Sequence, residues 1–93
     1  MVYEFEYFEW DEIKAARNIL KHGFDFNDAA QVFIDQRHVN RASFKHGEIR
    51  FKTTGFCNEQ LVTVIHTPRG QACRIISVRH ARKKEEEEYY GNS

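Results

Sequence analysis

The 93-residue chain is long enough for one hydrophobic core and too short for two, so the sequence predicts a single domain over residues 1–93. Hydrophobic residues make up 41% of the chain and charged residues 30%, which excludes a disordered chain, and no apolar run approaches the ~20 residues that a membrane span needs. Because the N-terminus lacks a signal-peptide pattern and the two cysteines form no C-x-x-C pair, the sequence favours a cytoplasmic protein with reduced thiols and no membrane contact.

The formal net charge of zero hides an uneven distribution of acids and bases. Residues 1–35 hold eight acids and three bases, residues 36–84 hold eleven bases and two acids, and residues 85–93 hold four glutamates. A fold can gather such a basic block into one face, which suits a phosphate-rich partner. Alternatively, the acidic and basic blocks neutralise each other across the fold. The charge pattern by itself leaves both interpretations open.

The N-terminal part of the chain predicts a strand followed by a helix. Aromatic and acidic residues alternate over part of residues 2–8, as in a strand. Asp11 is a suitable helix N-cap and Gly23 a suitable C-terminal cap, which predicts a helix over residues 12–22. Its apolar residues at helical spacing on one face are Ile13, Ala16 and Leu20.

A second, shorter helix is predicted to begin after Asp25 and to end near Ile34. Asp28 stands three residues after Asp25, in the position where a capping box usually has Glu or Gln. The apolar stripe of this helix consists of Phe26, Ala29, Ala30 and Phe33.

Beyond Asp35 the apolar pattern changes to the period of strands. The runs "HGEIRFKTT", "QLVTVIHT" and "ACRIISVR" are separated by turn-like residues 55–59 and 67–71, which predicts an antiparallel meander. The run "RHARKKEEEEYY" then predicts a C-terminal helix with bases at its start and acids at its end, opposite to the preference of the helix dipole. The predicted fold class is α+β, with an antiparallel sheet of three to four strands, two N-terminal helices and one C-terminal helix.

The residue spacing gives no support to metal-dependent or nucleotide-hydrolysing chemistry. The five histidines and two cysteines form no H-x-x-x-H, C-x-x-C or paired acidic pattern, and a G-x-x-x-x-G-K phosphate loop is absent. Nothing in the sequence marks Ser43 or Ser77 as an activated nucleophile. We therefore expect neither a metal site nor a cofactor.

Four arginines on or beside the predicted strands are candidates for binding phosphate: Arg50, Arg69, Arg74 and Arg79. Arg74 and Arg79 are five residues apart, so on a regular strand their side chains point to opposite faces. A shared site then requires Arg79 to lie beyond the strand end. The alternative is that Arg74 pairs with a nearby acid and Arg79 is a solvated strand terminus.

Lys21 and His22 end the first predicted helix, immediately before Gly23. Histidine titrates near pH 6.5 and is the usual proton carrier at neutral pH, so the pair is a candidate catalytic site. The alternative is that two cations at a helix C-terminus gain about 0.3–1 kcal/mol from the helix dipole and have no further role.

The segments "FEWDEIKAARNILKHGFDFNDAAQVFID", "GEIRFKTTG", "VTVIHTPRG" and "RIISVRHARKKEEEEYY", in this order over residues 8–90, resemble the BrnT family of bacterial toxins. The resemblance implies a small RelE-like fold and a ribonuclease that blocks translation. It also implies a ribbon-helix-helix antitoxin partner, BrnA, through which the pair binds operator DNA. Gln36 follows Asp35 where the family often has Asp-Pro, a change that is expected to affect only a loop.

Carried over from the family, the expected catalytic residues are Lys21, His22, Arg50, Arg69, Arg74 and Arg79, and Glu48 is a candidate base or salt-bridge partner. The first hypothesis is a metal-independent endoribonuclease in which the RNA 2′-OH attacks the adjacent phosphate. The second is a non-catalytic module that docks RNA or the antitoxin on a basic face. A third, a DNA corepressor, requires the antitoxin for any DNA affinity.

Overall fold

The computed structural model describes residues 7–91, which form a five-stranded sheet with helices on both faces. The elements in chain order are β1 (Tyr7–Glu9), α1 (Glu12–His22), a 3₁₀ turn (Phe26–Asp28), α2 (Ala30–Ile34), β2 (Val39–Lys45), β3 (Glu48–Cys57), β4 (Gln60–Arg69), β5 (Ala72–His80) and α3 (Lys83–Gly91). The strand order is β1-β5-β4-β3-β2, and β1 is parallel to β5 while the other pairs are antiparallel.

The predicted first helix is confirmed with its predicted bounds. The Asp11 carboxylate accepts hydrogen bonds from the backbone N–H groups of Ile13 and Lys14, and Gly23 ends the helix at φ 80°. At that positive φ a residue with a Cβ is strained, so glycine suits the position. These local signals are readable from the sequence, which is why the bounds agree.

The apolar face predicted for this helix does not face the core. Ile13 is 66% exposed and Leu20 88% exposed, while Ala15 and Asn18 are buried against the sheet. The Asn18 amide donates to the carbonyl oxygens of Phe24 and Val78 and accepts from the Val78 N–H. These bonds fix the rotation of α1 about its axis. A buried amide without hydrogen-bond partners would lower the free energy of unfolding by roughly several kcal/mol.

The second predicted helix is interrupted. The chain forms the 3₁₀ turn and then the five-residue α2. Asp25 caps the turn by accepting from the Asn27 N–H, but Asp28 does not complete a capping box, because its carboxylate accepts from the Asn58 side chain. A 3₁₀ turn bonds each residue to the third one before it and so takes a tighter path than the predicted α-helix.

The predicted meander is confirmed as β3, β4 and β5, but the prediction of an antiparallel sheet of three to four strands is wrong in two respects. β2 was not predicted; it pairs with β3 through a hairpin whose turn residues His46 and Gly47 have positive φ. At the other edge, β1 runs parallel to β5, which makes the sheet mixed. Residues 2–6 of the predicted N-terminal strand lie outside the described residues.

The hydrophobic core lies between one face of the sheet and the segment that holds α1, the 3₁₀ turn and α2. Three phenylalanines supply much of its volume: Phe24, Phe26 and Phe33. Cys57 and Cys73 are buried free thiols, and burial raises the pKa of Cys57 to about 11, helped by the charge of Asp28, and that of Cys73 to about 12. Both thiols are therefore protonated at neutral pH.

The C-terminal helix begins later than predicted, at Lys83, so Glu85 lies in its first turn, where the helix dipole favours an acid. The sequence predicts that the acids of this helix oppose the helix dipole, but Glu85 does not. Further along α3, the Tyr89 hydroxyl donates to the Asp35 carboxylate at 2.7 Å, and the same carboxylate accepts from the Phe56 N–H. Asp35 thus joins α2, β3 and α3.

Acid is expected to destabilise the fold through His66, which is buried between Phe33 and Phe51 and hydrogen-bonded to Thr53. Burial lowers its pKa from 6.5 to about 4. The unfolded chain therefore binds this proton first, and stability falls as the pH drops from about 6.5 towards 4. The expected loss is about 2 kcal/mol between pH 7 and pH 5. Urea unfolding at both pH values checks this, with His66→Gln as the variant that should lose less; equal losses in both proteins contradict the assignment.

Candidate nucleic-acid interface

Three adjoining hollows occupy the sheet face that is turned away from the core. The strand hollow, about 400 Å³, is lined by Ser43, Phe44, Lys45, Arg50, Lys52, Ile65, Ile76, Ser77, Arg79 and Arg82. The turn hollow, about 180 Å³, is lined by Lys14, Glu48, Arg50, Thr67, Pro68, Arg69, Arg74 and Ile76. The helix hollow, about 170 Å³, is lined by Lys14, Arg17, Asn18, Lys21, His22, Ile76 and Ser77. Ile76 belongs to all three, so they form one continuous surface, called here the basic face.

A β-bulge at Ile76 brings two of the predicted arginines to this face. Ile75 pairs with His66 and Ser77 pairs with Ile65, so Ile76 has no partner on β4. The extra residue reverses the alternation of side chains along β5. Arg74 and Arg79 therefore both lie inside the strand and on the same face, and the prediction that a shared site needs Arg79 beyond the strand end is wrong.

The basic face concentrates positive charge. Ten of the fourteen Lys and Arg residues of the chain line the three hollows: Lys14, Arg17, Lys21, Lys45, Arg50, Lys52, Arg69, Arg74, Arg79 and Arg82. Glu48 is the one carboxylate among the lining residues that the structure describes. Clustered cations of this kind raise the local concentration of polyanions and are the electrostatic signature of nucleic-acid binding.

Carboxylates pair with the three predicted arginines around the turn hollow. Arg74 Nη1 lies 2.7 Å from Glu9 Oε2, Arg69 Nη1 lies 4.0 Å from the same oxygen, and Arg50 Nε lies 3.0 Å from Glu48 Oε1. The alternative that Arg74 pairs with a nearby acid is therefore confirmed, and Glu48 is observed as a salt-bridge partner. Arg69 and Arg74 line the turn hollow, whereas Glu9 does not.

Arg79 is the most enclosed of the predicted arginines. Its side chain is 11% exposed, and both terminal nitrogens donate to the two oxygens of Glu85, at 2.8 and 2.9 Å. Burial tends to raise the Glu85 pKa, but hydrogen bonds from Arg79, the Arg82 N–H and the Thr63 hydroxyl, with the charge of Arg79, lower it to about 2. The alternative that Arg79 is a solvated strand terminus is wrong.

Lys21 and His22 end α1 and line the helix hollow beside Ser77. Burial lowers the His22 pKa below its ordinary value, and the charges of Lys21, Arg79 and His80 lower it further. The imidazole is thus held in its neutral form at neutral pH, when it can accept a proton. His22 and Arg79 line neighbouring hollows, which share Ile76 and Ser77.

The basic face also contains five cations that were not predicted as site residues: Lys14, Arg17, Lys45, Lys52 and Arg82. Two sequence signals could have identified most of them. Lys14, Arg17 and Lys21 are spaced as i, i+3 and i+7, which places them along one side of a helix. Lys52 follows Arg50 by two residues, which places both on one face of a strand.

Residues 7–91 contain no group of three His, Cys, Asp or Glu side chains placed to hold a metal ion. Within the same residues, every helix is too short or too polar to cross a bilayer.

Comparison with known proteins identifies a protein family and a similar solved structure. The model of the family described as "Ribonuclease toxin, BrnT, of type II toxin-antitoxin system" matches residues 10–85. The 1.1 Å crystal structure of the Brucella abortus ribonuclease toxin, BrnT, is similar, with 31% sequence identity and a TM-score of 0.65 over 83% of this chain and 97% of that one. Among curated proteins no significant match was found. The family match covers most of the chain and includes all six expected catalytic residues.

Proposed function

This chain belongs to the BrnT family of ribonuclease toxins of type II toxin–antitoxin systems, and from that premise we propose that it is a metal-independent endoribonuclease that inhibits translation in the cytoplasm. We further propose that a BrnA-like ribbon-helix-helix antitoxin neutralises it and that operator DNA is bound only through that antitoxin. The observation that carries the proposal is the basic face, whose three adjoining hollows are lined by ten cations, one carboxylate and His22.

The proposed reaction uses the RNA's own 2′-OH as the nucleophile. Its oxygen bonds to the adjacent phosphorus while the bond from phosphorus to the 5′-oxygen breaks, which leaves a 2′,3′-cyclic phosphate and a 5′-hydroxyl end. One proton must leave the 2′-OH and another must reach the 5′-oxygen. His22 is the proposed group for one of these transfers, because it lines the basic face and because burial and neighbouring cations lower its pKa, so that the imidazole is neutral and can accept a proton at neutral pH.

The arginines are proposed to stabilise the negative charge that develops on the phosphate oxygens. A guanidinium offers parallel N–H donors to two phosphate oxygens and does not give up its proton, since its pKa exceeds about 12. Arg79 is held by Glu85 and Arg74 by Glu9, so their orientation is set before RNA arrives. Fixed donors cost little reorganisation during the reaction, which is the basis of electrostatic catalysis. Lys21 adds positive charge beside His22.

Incubation of the purified chain with total RNA, with and without EDTA, tests the proposal. We expect fragments that carry 2′,3′-cyclic phosphate ends at the same rate in both reactions. Loss of cleavage in EDTA contradicts metal independence. Binding that weakens with salt while the RNA stays intact on a denaturing gel favours the second function, a non-catalytic docking module. One observation favours that alternative: every predicted arginine already has a carboxylate within 4.0 Å.

A further inference from the structure

The outward side of α1 carries an apolar stripe that nothing in residues 7–91 covers. The stripe consists of Ile13, Ala16 and Leu20, all exposed and spaced along one side of the helix. Leu20 is 88% exposed, and the hydrogen bonds of Asn18 to the sheet hold it in that orientation. A helix with large aliphatic side chains directed to solvent is unusual in a monomer, where such a face is normally turned to the core.

A row of three cations runs along α1 beside this stripe. Lys14, Arg17 and Lys21 line the helix hollow, and none forms an ion pair with the residues that the structure describes. They differ in this from the four predicted arginines, each of which lies within 4.0 Å of a carboxylate oxygen. One helix therefore presents apolar and unpaired positive side chains next to each other, at the border of the basic face.

We propose that this side of α1 is the docking surface for the antitoxin, through a segment in which apolar side chains alternate with carboxylates. The apolar residues of that segment cover Ile13 and Leu20, and its carboxylates pair with the row of Lys14, Arg17 and Lys21. The inference rests on the proposed function, because the type II family supplies the partner. A bound segment would lie over the helix hollow and keep RNA away from His22, so docking and inhibition are the same event.

Charge and polarity separate this occupant from two others. A second copy of the chain would place the same cation row near its own counterpart, and like charges at an interface oppose association. RNA neutralises the cations, but its phosphates gain nothing from the aliphatic stripe. A partner segment that is both apolar and acidic satisfies both halves of the surface.

The double variant Ile13→Gln, Leu20→Gln tests the proposal, with purified cognate antitoxin as the probe in calorimetric titration. Glutamine is a good helix former and leaves the charge unchanged, so the variant removes only the apolar contact. We expect antitoxin affinity to fall roughly 100-fold, the effect of losing two buried aliphatic contacts, while RNA cleavage stays within twofold. Tyr90→Gln, at an exposed position on α3, is the matched control and should bind antitoxin normally. Wild-type affinity should also weaken with salt.

Each remaining outcome overturns the inference. Wild-type affinity in the double variant excludes the stripe, and affinity independent of salt excludes the acidic partner segment. If the variant loses RNA binding but keeps antitoxin binding, the surface serves RNA. If the free wild-type chain is a dimer that the variant dissociates, the surface joins two copies. If the proposed nuclease function is wrong, the wild-type chain does not cleave RNA, but the antitoxin titrations are unchanged. The experiment therefore distinguishes that failure from a failure of the docking proposal.

Discussion

Replacing His22 with alanine is expected to lower the rate of RNA cleavage by roughly 10²- to 10⁴-fold, the usual contribution of a general acid or base. Affinity for RNA should stay within a few-fold, because the ten cations that line the basic face are all retained. The side chain is half-buried at the end of α1 and makes no hydrogen bond that holds the fold together among the bonds of the described residues. Single-turnover cleavage and equilibrium binding of a non-cleavable 2′-deoxy substrate separate the two effects.

His46→Asn is the matched control for this prediction. His46 is exposed in the turn between β2 and β3, lies outside the three hollows, and has a φ of 53° that asparagine tolerates well. We expect its cleavage rate to equal that of the wild-type chain. If His46→Asn and His22→Ala cleave equally well, the imidazole at position 22 has no part in the reaction and the arginines must act without it.

The pH dependence of cleavage identifies the role of His22. Its pKa lies below the ordinary 6.5, so one limb of the rate profile should have its midpoint below that value and should vanish in His22→Ala. A rate that rises with pH through this midpoint identifies a general base, whereas a rate that falls identifies a general acid. A profile that the substitution leaves unchanged assigns the limb to another group.

The features that the sequence predicts well are those set by neighbouring residues. α1 has its predicted bounds because Asp11 and Gly23 act within one turn of the helix ends. The strands of the meander were predicted from alternation and turns within short segments. The rotation of α1 could not be predicted in the same way, because Asn18 bonds to Val78, sixty residues away.

The same distinction applies to the strand that was missed and to the site. β2 is an edge strand with mostly exposed residues, so it lacks the apolar alternation that marks a half-buried strand. No glycine marks the bulge at Ile76 in the sequence, yet the bulge places Arg74 and Arg79 on the same face of the sheet. The resemblance to a family named the six candidate residues, but their carboxylate partners depend on contacts such as Arg74 with Glu9 across 65 residues.

Replacing Glu85 with glutamine is expected to lower the free energy of unfolding by about 3 kcal/mol at neutral pH. Burial opposes ionisation of this carboxyl, but the bonds from Arg79, the Arg82 N–H and Thr63 outweigh burial and lower its pKa from 4.5 to about 2. Glutamine has the shape of the protonated carboxyl, so the substitution removes the preference for the charged form at about 1.4 kcal/mol per pKa unit. It also leaves Arg79, which is 11% exposed, without a charged partner.

Acid supplies an independent check of the same interaction. Because the folded pKa is lowered, the stabilisation by Glu85 is complete above pH 4.5 and is lost as the pH falls towards 2. Urea unfolding between pH 4.5 and 2 should show a larger loss in the wild-type chain than in Glu85→Gln, since the variant has no proton to gain at that site. Loss of equal size in both proteins contradicts the assignment.

Two further variants separate the ion pair from general effects on α3. Glu87→Gln removes a charge from an exposed position on the same helix and should change stability by less than about 0.5 kcal/mol. Combining Glu85→Gln with Arg79→Met should recover part of the loss, because much of the cost of the single substitution is the enclosed guanidinium left without its carboxylate. If the double variant is less stable than Glu85→Gln alone, the Arg79 guanidinium contributes through bonds that do not need the carboxylate, such as the one it donates to the His80 carbonyl oxygen. Glu85 would then stabilise α3 mainly through Thr63 and the Arg82 N–H, and the orientation of Arg79 would not depend on it.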